Sequence, residues 1–304
     1  MWFAPQERFA VAVHLPALIS LALALVLAAT PAMAQESAVA AGRLHEVRGS
    51  KLYVQTLGHG APIVFLHGGA VFFDNNFARQ RDVFARFRTV IGIDQRGHGH
   101  SPDDVQPFDY REMAEDTAAV IEQLGLGPVD VVGHSDGGNV GLLLARHHTE
   151  LVRRLVVSGA NLRAGLPADE LERRRTWSAS QVAERVRRLS DGLPPTFRTD
   201  YERVNPAGPD HWWPFLTKLY HLWLTPVVIE PAELKAIARP VLVMAGDHDF
   251  TPIDETLEIF RNLPQGELFV VPGAGHGTLQ QRAELVNLAI REFLERTDPG
   301  GPLR

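Results

Sequence analysis

The amino-acid sequence predicts an α/β protein: a doubly wound, mostly parallel sheet with one helical insertion. Three features of the 304-residue chain carry this reading. Short apolar runs end repeatedly at glycine or serine, as strands buried on both faces do. Amphipathic helical patterns fall between them, an alternation that implies right-handed βαβ connections. One long segment, residues 161–236, breaks the rhythm with helical and Pro/Gly-rich sequence and no strand pattern.

In chain order, the first apolar run is of another kind. "HLPALISLALALVLAATPAMA" ends in Ala32-Met33-Ala34, a small-x-small pattern before Gln35. Residues 1–34 therefore read as a secretory signal peptide, although Glu7 cancels Arg8 in the leading region where net positive charge is usual. The apolar stretch is short for a membrane span. Cleavage near Ala34, export to the periplasm or medium, and no lasting membrane anchor are the expectations. A net charge of −6 offers no attraction for nucleic acid or anionic lipid. With no cysteine in the chain, disulfides, thiolate nucleophiles and zinc–thiolate sites are excluded.

From Gly42 onward, "RLHEVRGSKLYVQTLG" alternates on either side of Gly49-Ser50 and predicts an antiparallel hairpin. The core strands are "PIVFLHGG", "TVIGIDQRG", "VDVVGHS", "RLVVSG", "PVLVMAG" and "LFVVPG". Helical periodicity marks "YREMAEDTAAVIEQLG", "GGNVGLLLARHH", "IDETLEIFRNL" and "LQQRAELVNLAIREFLERT". Within 161–236, an Arg/Glu-rich stretch and the aromatic "HWWPFLTKLYHLWL" read as helices around Pro/Gly-rich loops. That span is too long for a plain loop. Residues 35–160 and 237–304 are thus the predicted sheet-bearing core, and 161–236 the insertion.

The chemistry-bearing residues stand at the ends of the strand runs. Gly133-His134-Ser135-Asp136-Gly137 fits the Gly-x-Ser-x-Gly elbow, in which a serine sits on a tight strand-to-helix turn. A phosphate cradle is a weaker reading, because neither Gly-Lys-Ser/Thr nor Gly-x-Gly-x-x-Gly occurs. A nucleophilic serine needs a base, and the base an orienting carboxylate. Two later strand ends supply them: "PVLVMAGDHDFTP" offers Asp247 and Asp249, and "LFVVPGAGHGTL" offers His276. The residues leave the choice between the two aspartates open, since one of them has an alternative role capping the helix near Pro252. An oxyanion would take backbone N–H groups from Asp136, at a helix N-terminus, and from Gly69 in "HGG", with Ala70 as second choice. His67 braces that loop. The Asp136 side chain has two readings, a contact for a cationic substrate group or hydrogen bonds to backbone N–H groups. His98-x-His100, His147-His148 and Asp247-His248-Asp249 contain metal-ligand types without a metal-site spacing. No metal and no cofactor are expected.

"HGG" at 67–69, "DQRGHGHS" at 94–101, "GHSDGG" at 133–138, "AGDHD" at 245–249 and "GAGH" at 273–276 resemble the α/β-hydrolase superfamily in its motif order. Gly-x-Ser-Asp-Gly-Gly is similar to a serine esterase-like branch that includes valacyclovir-hydrolase-like and proline-iminopeptidase-like groups. The resemblance implies the α/β-hydrolase fold and a catalytic set of Ser135, Asp249 and His276, the acid counted as the third residue after Gly246. It also implies that 161–236 is a helical cap. Trp177, Phe197, Trp212, Trp213, Phe215, Tyr220 and Trp223 would then line or roof the pocket, or else form the cap's own core. Of these, Trp177, Trp212, Trp213 and Trp223 are the candidate substrate contacts, together with Ala70.

The function expected is a cofactor-independent serine hydrolase, cleaving small, partly apolar carboxylic esters through an acyl-enzyme. The alternatives are an aminopeptidase or amidase of the proline-iminopeptidase type, a cofactor-free perhydrolase or haloperoxidase, and a non-enzymatic ligand-binding module. The partner expected is a small-molecule ester or amide, and not nucleic acid.

Overall fold

The computed structural model describes residues 41–164 and 166–297. The predicted leader, residues 1–34, lies outside the described residues. The opening hairpin joins β1 (Arg43–Val47) to β2 (Ser50–Gly58) in antiparallel register. Its turn places Arg48 at φ 48° and Gly49 at φ 80°. The six apolar runs form β3 (Pro62–Leu66), β4 (Thr89–Asp94), β5 (Val129–His134), β6 (Val152–Ser158), β7 (Val241–Gly246) and β8 (Gly266–Val271). These six are mutually parallel, and β2 joins them antiparallel to β4. The order is β1-β2-β4-β3-β5-β6-β7-β8. The chain moves outward from β3 to β4 and then returns to the other side of β3 with β5. Such a reversal opens a crevice at the carboxyl ends of β3 and β5, where open α/β sheets bind ligands.

Alternation along the strands explains why whole runs are apolar. Val64 and Leu66 of β3 join a core on one sheet face, while Ile63 and Phe65 join a core on the other. The helices of the described residues are α1 (Phe73–Asn76), α2 (Arg81–Phe84), α3 (Tyr110–Gln123), α4 (Asp136–His147), α5 (Ala168–Arg175), α6 (Ala179–Gly192), α7 (Pro195–Val204), α8 (Trp212–Leu222), α9 (Pro231–Leu234), α10 (Ile253–Asn262), α11 (Thr278–Gln281) and α12 (Ala283–Glu295). Local chemistry starts several of them. The Asp109 carboxylate accepts the N–H groups of Arg111 and Glu112 at the head of α3, and Ser178 with Gln181 forms a capping box on α6.

The elements depart from the sequence reading in three places. The run "LQQRAELVNLAIREFLERT" is two helices, because Arg282 leaves helical geometry (φ −130°) and its guanidinium bonds the Pro272 carbonyl. The strand "VDVV" buries Asp130 completely, with Arg88 and Arg153 as guanidinium partners. A third difference is α7, which begins on the last residue of "GLPP": Pro195 stands at the first helical position, where its missing N–H leaves no bond unmade.

Between β6 and β7, the described residues form helices α5 to α9 and a single isolated bridge, Arg163 to Val227. Side chains tie this insertion to the loop after β4. Asn205 Nδ2 donates to the carbonyls of Gly97, Gly99 and Ser101 at 3.0–3.3 Å. His211 and Lys218 reach the buried Asp103 at 2.8 and 2.7 Å. Among the described residues, no helix is long and apolar enough to cross a membrane.

One contact that permits little change lies between β3 and α4. A Cβ on Gly137 would stand 2.0 Å from the Leu66 carbonyl oxygen, backbone against backbone. Gly137→Ala is therefore expected to lower unfolding free energy by at least about 1–3 kcal/mol in urea titrations. Gly192→Ala, where an added Cβ meets nothing within 4 Å, is the control. It should raise stability by about 0.5–1 kcal/mol.

Candidate active site

Ser135 joins β5 to α4 with φ 54° and ψ −120°, a strained conformation for a residue with a side chain. Its N–H donates to the Ser158 carbonyl at 2.8 Å, and its own carbonyl accepts from Gly138 and Asn139 at 2.8 and 3.1 Å. The flanking glycines make the turn possible. A Cβ on Gly133 would sit 2.2 Å from the Gly137 carbonyl oxygen, and Gly138 packs against Ala160.

His276 meets this serine. Its Nε2 lies 2.9 Å from Ser135 Oγ, and its Nδ1 lies 2.8 Å from Asp249 Oδ1. A neutral ring that donates Nδ1–H to the carboxylate leaves Nε2 as acceptor for the serine proton. Asp249 is held as well as holding: its side chain is 1% exposed, and Oδ1 also accepts the Thr251 N–H at 2.9 Å. Gly159 at the end of β6, with φ 66°, leaves the ring room, since a Cβ there would lie 2.8 Å from His276 Cε1.

Asp247 faces elsewhere. Its exposed carboxylate accepts the Ala274 N–H at 3.2 Å, and a hydrogen bond from the Gly273 N–H holds it below the usual carboxylate range. It shapes the loop that carries His276. Geometry thus puts Asp249, the aspartate the family resemblance implied, against His276, and Asp247 on the loop backbone.

The backbone N–H groups of Asp136 and Gly69 meet no protein acceptor among the described residues. The N–H of Gly68, by contrast, is engaged by Asn76 Oδ1 at 2.8 Å. Ala70, at φ 60°, is buried in the core behind this loop. His67 is buried, and burial lowers its pKa. Its Nδ1 bonds the Gly68 carbonyl at 2.8 Å, and its Nε2 accepts the Gln95 N–H at 2.9 Å. The ring is a neutral brace.

A second imidazole completes a chain between loops. Asn76 Nδ2–H donates to His134 Nδ1 at 3.1 Å, and His134 Nε2–H donates to the His276 carbonyl at 2.9 Å. Together with Gly68 and Asn76, this relay fastens the "HGG" loop to the base-bearing loop.

The Asp136 carboxylate bonds neither of the groups anticipated. Two side chains donate to it instead, Tyr110 Oη–H at 2.8 Å to Oδ1 and Trp223 Nε1–H at 2.9 Å to Oδ2. Burial raises its pKa, and the two donors oppose that shift. A Cβ on Gly69 would fall 2.4 Å from Asp136 Oδ2 and 2.6 Å from the Trp223 ring.

Only one of the four candidate tryptophans, Trp223, is at this site. Trp212 is fully buried in the insertion's core beside Tyr201 and Phe215, because α6 and α7 pack on it and Ser190 Oγ takes its indole N–H. Trp213 points outward beneath Arg198. Trp177 stacks on Tyr220 and borders a separate cavity of about 250 Å³ with Val182, Thr217 and His221. Phe250 was not anticipated. Its ring lies 4.0 Å from that of His276, tilted by 32°. The available signal was its place directly after Asp249.

Residues 63–288 match the alpha/beta hydrolase family. The chain belongs to that family. It is 27% identical over 263 residues to the AB hydrolase superfamily protein YisY of Bacillus subtilis, covering 80% of this chain and 94% of the relative. It is 29% identical over 265 residues to a non-heme haloperoxidase of Rhodococcus erythropolis, covering 81% and 97%. Among solved structures, a thermophilic esterase from Thermogutta terrifontis superposes with a TM-score of 0.67 at 27% identity, covering 84% of this chain and 98% of that one. These likenesses support a hydrolase built on the alpha/beta hydrolase fold.

Two measurements check the electrostatics of this alpha/beta hydrolase site. Burial, reinforced by His276, lowers the His134 pKa from 6.5 to about 4. The fold keeps that ring neutral while the unfolded chain protonates near 6.5. The unfolded state therefore binds more protons below 6.5, and stability falls as pH drops from there to about 4. The loss amounts to roughly 3 kcal/mol, and urea titrations of His134→Gln should lack that share of the acid sensitivity. Tyr110→Phe, which strips one donor from a buried carboxylate, should destabilise the protein by about 1–3 kcal/mol.

Proposed function

We propose that this alpha/beta hydrolase is a cofactor-independent serine hydrolase cleaving carboxylic esters of small, partly apolar substrates. The observation that carries this reading is the line from Ser135 through His276 to Asp249, with contacts of 2.9 and 2.8 Å. Ser135 Oγ attacks the ester carbonyl while His276 Nε2 takes the hydroxyl proton, and Asp249 steadies the resulting imidazolium. The N–H groups of Asp136 and Gly69 stabilise the oxyanion. The tetrahedral species collapses with His276 returning its proton to the departing alcohol. Water, activated by the same imidazole, then attacks the acyl-enzyme and releases the acid.

The aminopeptidase reading loses support at Asp136. Its carboxylate is buried and already accepts one donor on each oxygen, from Tyr110 and Trp223, which leaves an acid of the insertion as the other grip for a substrate ammonium group. The perhydrolase reading keeps a specific observation in its favour, the haloperoxidase relative at 29% identity. It uses the same acyl-enzyme with hydrogen peroxide in place of water, giving a peracid.

Ser135→Ala and His276→Ala are expected to abolish ester turnover, and Ser135→Ala also labelling by a fluorophosphonate probe. Asp249→Asn should lower kcat by about 10⁴, whereas Asp247→Asn should leave it within a few-fold of wild type. Wild-type rates in Ser135→Ala would falsify the mechanism. A peroxide-dependent halogenation assay on the wild-type enzyme separates the two acceptors.

A further inference from the structure

Phe250 is an expensive residue where it stands. It is 78% exposed and belongs to neither hydrophobic core. A phenyl ring left in water contributes little to folding, and a polar residue at this loop position would fit the same surroundings. The ring nevertheless lies against the imidazole face of His276, centroid to centroid 4.0 Å. Its position is firm, because the preceding residue is Asp249, buried and bonded to both Thr251 N–H and His276 Nδ1. A second apolar side chain, Ile253, is 40% exposed three residues on, at the start of α10.

The direction of the chemistry says which half of a substrate this ring would touch. In the proposed reaction, His276 Nε2 hands its proton to the departing alcohol oxygen, so that oxygen must come within hydrogen-bond reach of Nε2. The carbonyl oxygen is drawn the other way, to the N–H groups of Asp136 and Gly69. The alcohol half therefore leaves along the His276 side of Ser135, past the exposed ring. The acyl half turns away from it.

We propose that Phe250 forms the leaving-group wall of the site and selects esters whose alcohol half is aromatic or bulky and apolar. The inference rests on the serine-hydrolase reading above. An aromatic alcohol offers a face to the ring, an arrangement aromatic pairs favour beyond the area they bury. A methyl ester offers nothing to that surface. Selection by this wall acts on acylation, since the alcohol has gone before water attacks the acyl-enzyme.

The test compares phenyl butyrate with methyl butyrate, which share one acyl-enzyme and differ only in the alcohol. The quantity read is the ratio of kcat/KM for the two esters, which cancels any change in the amount of active enzyme. Phe250→Ala should lower the phenyl-to-methyl ratio by about tenfold, and Phe250→Tyr should restore it to near the wild-type value. An unchanged ratio in Phe250→Ala, with both esters slowed equally, would overturn the proposal and leave the ring a support for His276 alone. A ratio that Phe250→Tyr fails to restore would overturn it too. Failure of the underlying reading looks different: Ser135→Ala would then hydrolyse both esters at wild-type rates, whatever the substitutions at Phe250 did.

Discussion

At the carboxyl ends of β3 and β5, backbone packs directly on backbone. The Leu66 carbonyl approaches Gly137 so closely that no side chain fits between them, and Gly133 closes against the same helix turn. This contact seats the N-terminus of α4 over the sheet and forces Ser135 into its strained φ and ψ. It also lays the "HGG" loop alongside the serine, since residues 67–69 are the continuation of β3. Gly68 itself passes within about a van der Waals contact of the serine: a Cβ there would lie 3.1 Å from Ser135 Cβ. Ser135 and one strand end are thus fixed by excluded volume before any hydrogen bond is counted.

Polar contacts then carry the alignment to the distant base. His276 arrives from a loop more than a hundred residues downstream, and a loop that remote needs ties of its own. The Gly68–Asn76–His134–His276 relay supplies one, and Asp247 bonding to Ala274 supplies another. The buried His134 ring stays neutral because charging it in an apolar surrounding is unfavourable. A neutral His134 has one donor and one acceptor, the pair its neighbours require. Protonation would break the relay at Asn76, so the same burial that depresses the pKa also preserves the alignment.

The helical insertion is joined to the core by donors into carboxylates, and by Asn205 donating to the Gly97, Gly99 and Ser101 carbonyls. Trp223 bonds Asp136, whose backbone N–H heads α4 beside the serine. Lys218 and His211 bond Asp103 in the loop after β4. An ionised Asp136 so near a developing oxyanion would oppose it electrostatically. Two neutral donors and the N-terminus of α4 offset that charge, and they occupy the oxygens that would otherwise be available to a ligand. The insertion therefore bears on the geometry beside the serine and on its local field.

Order along the chain made much of this legible. Runs stopping at glycine marked the strands of the parallel sheet, and the elbow signature marked Ser135, because a tight strand-to-helix turn admits few residue types. Local rules of that sort act over a handful of neighbours, and a sequence states them outright. Trp223 against Trp212 and Trp213, and the ring of Phe250 over His276, were decided only in the folded chain, and for Asp249 against Asp247 the residues themselves were silent where the family resemblance was not. Each depends on which way a side chain points once strands far apart in sequence lie side by side. The carboxylates are two residues apart, yet the turn after β7 sends one to the base and the other to the loop backbone. What the sequence by itself determined were the succession of strands and helices along the chain, the elbow and the kinds of group at the strand ends. Tertiary packing decided their partners, because hydrogen bonds and ring contacts form across distances in space that distance along the chain does not encode.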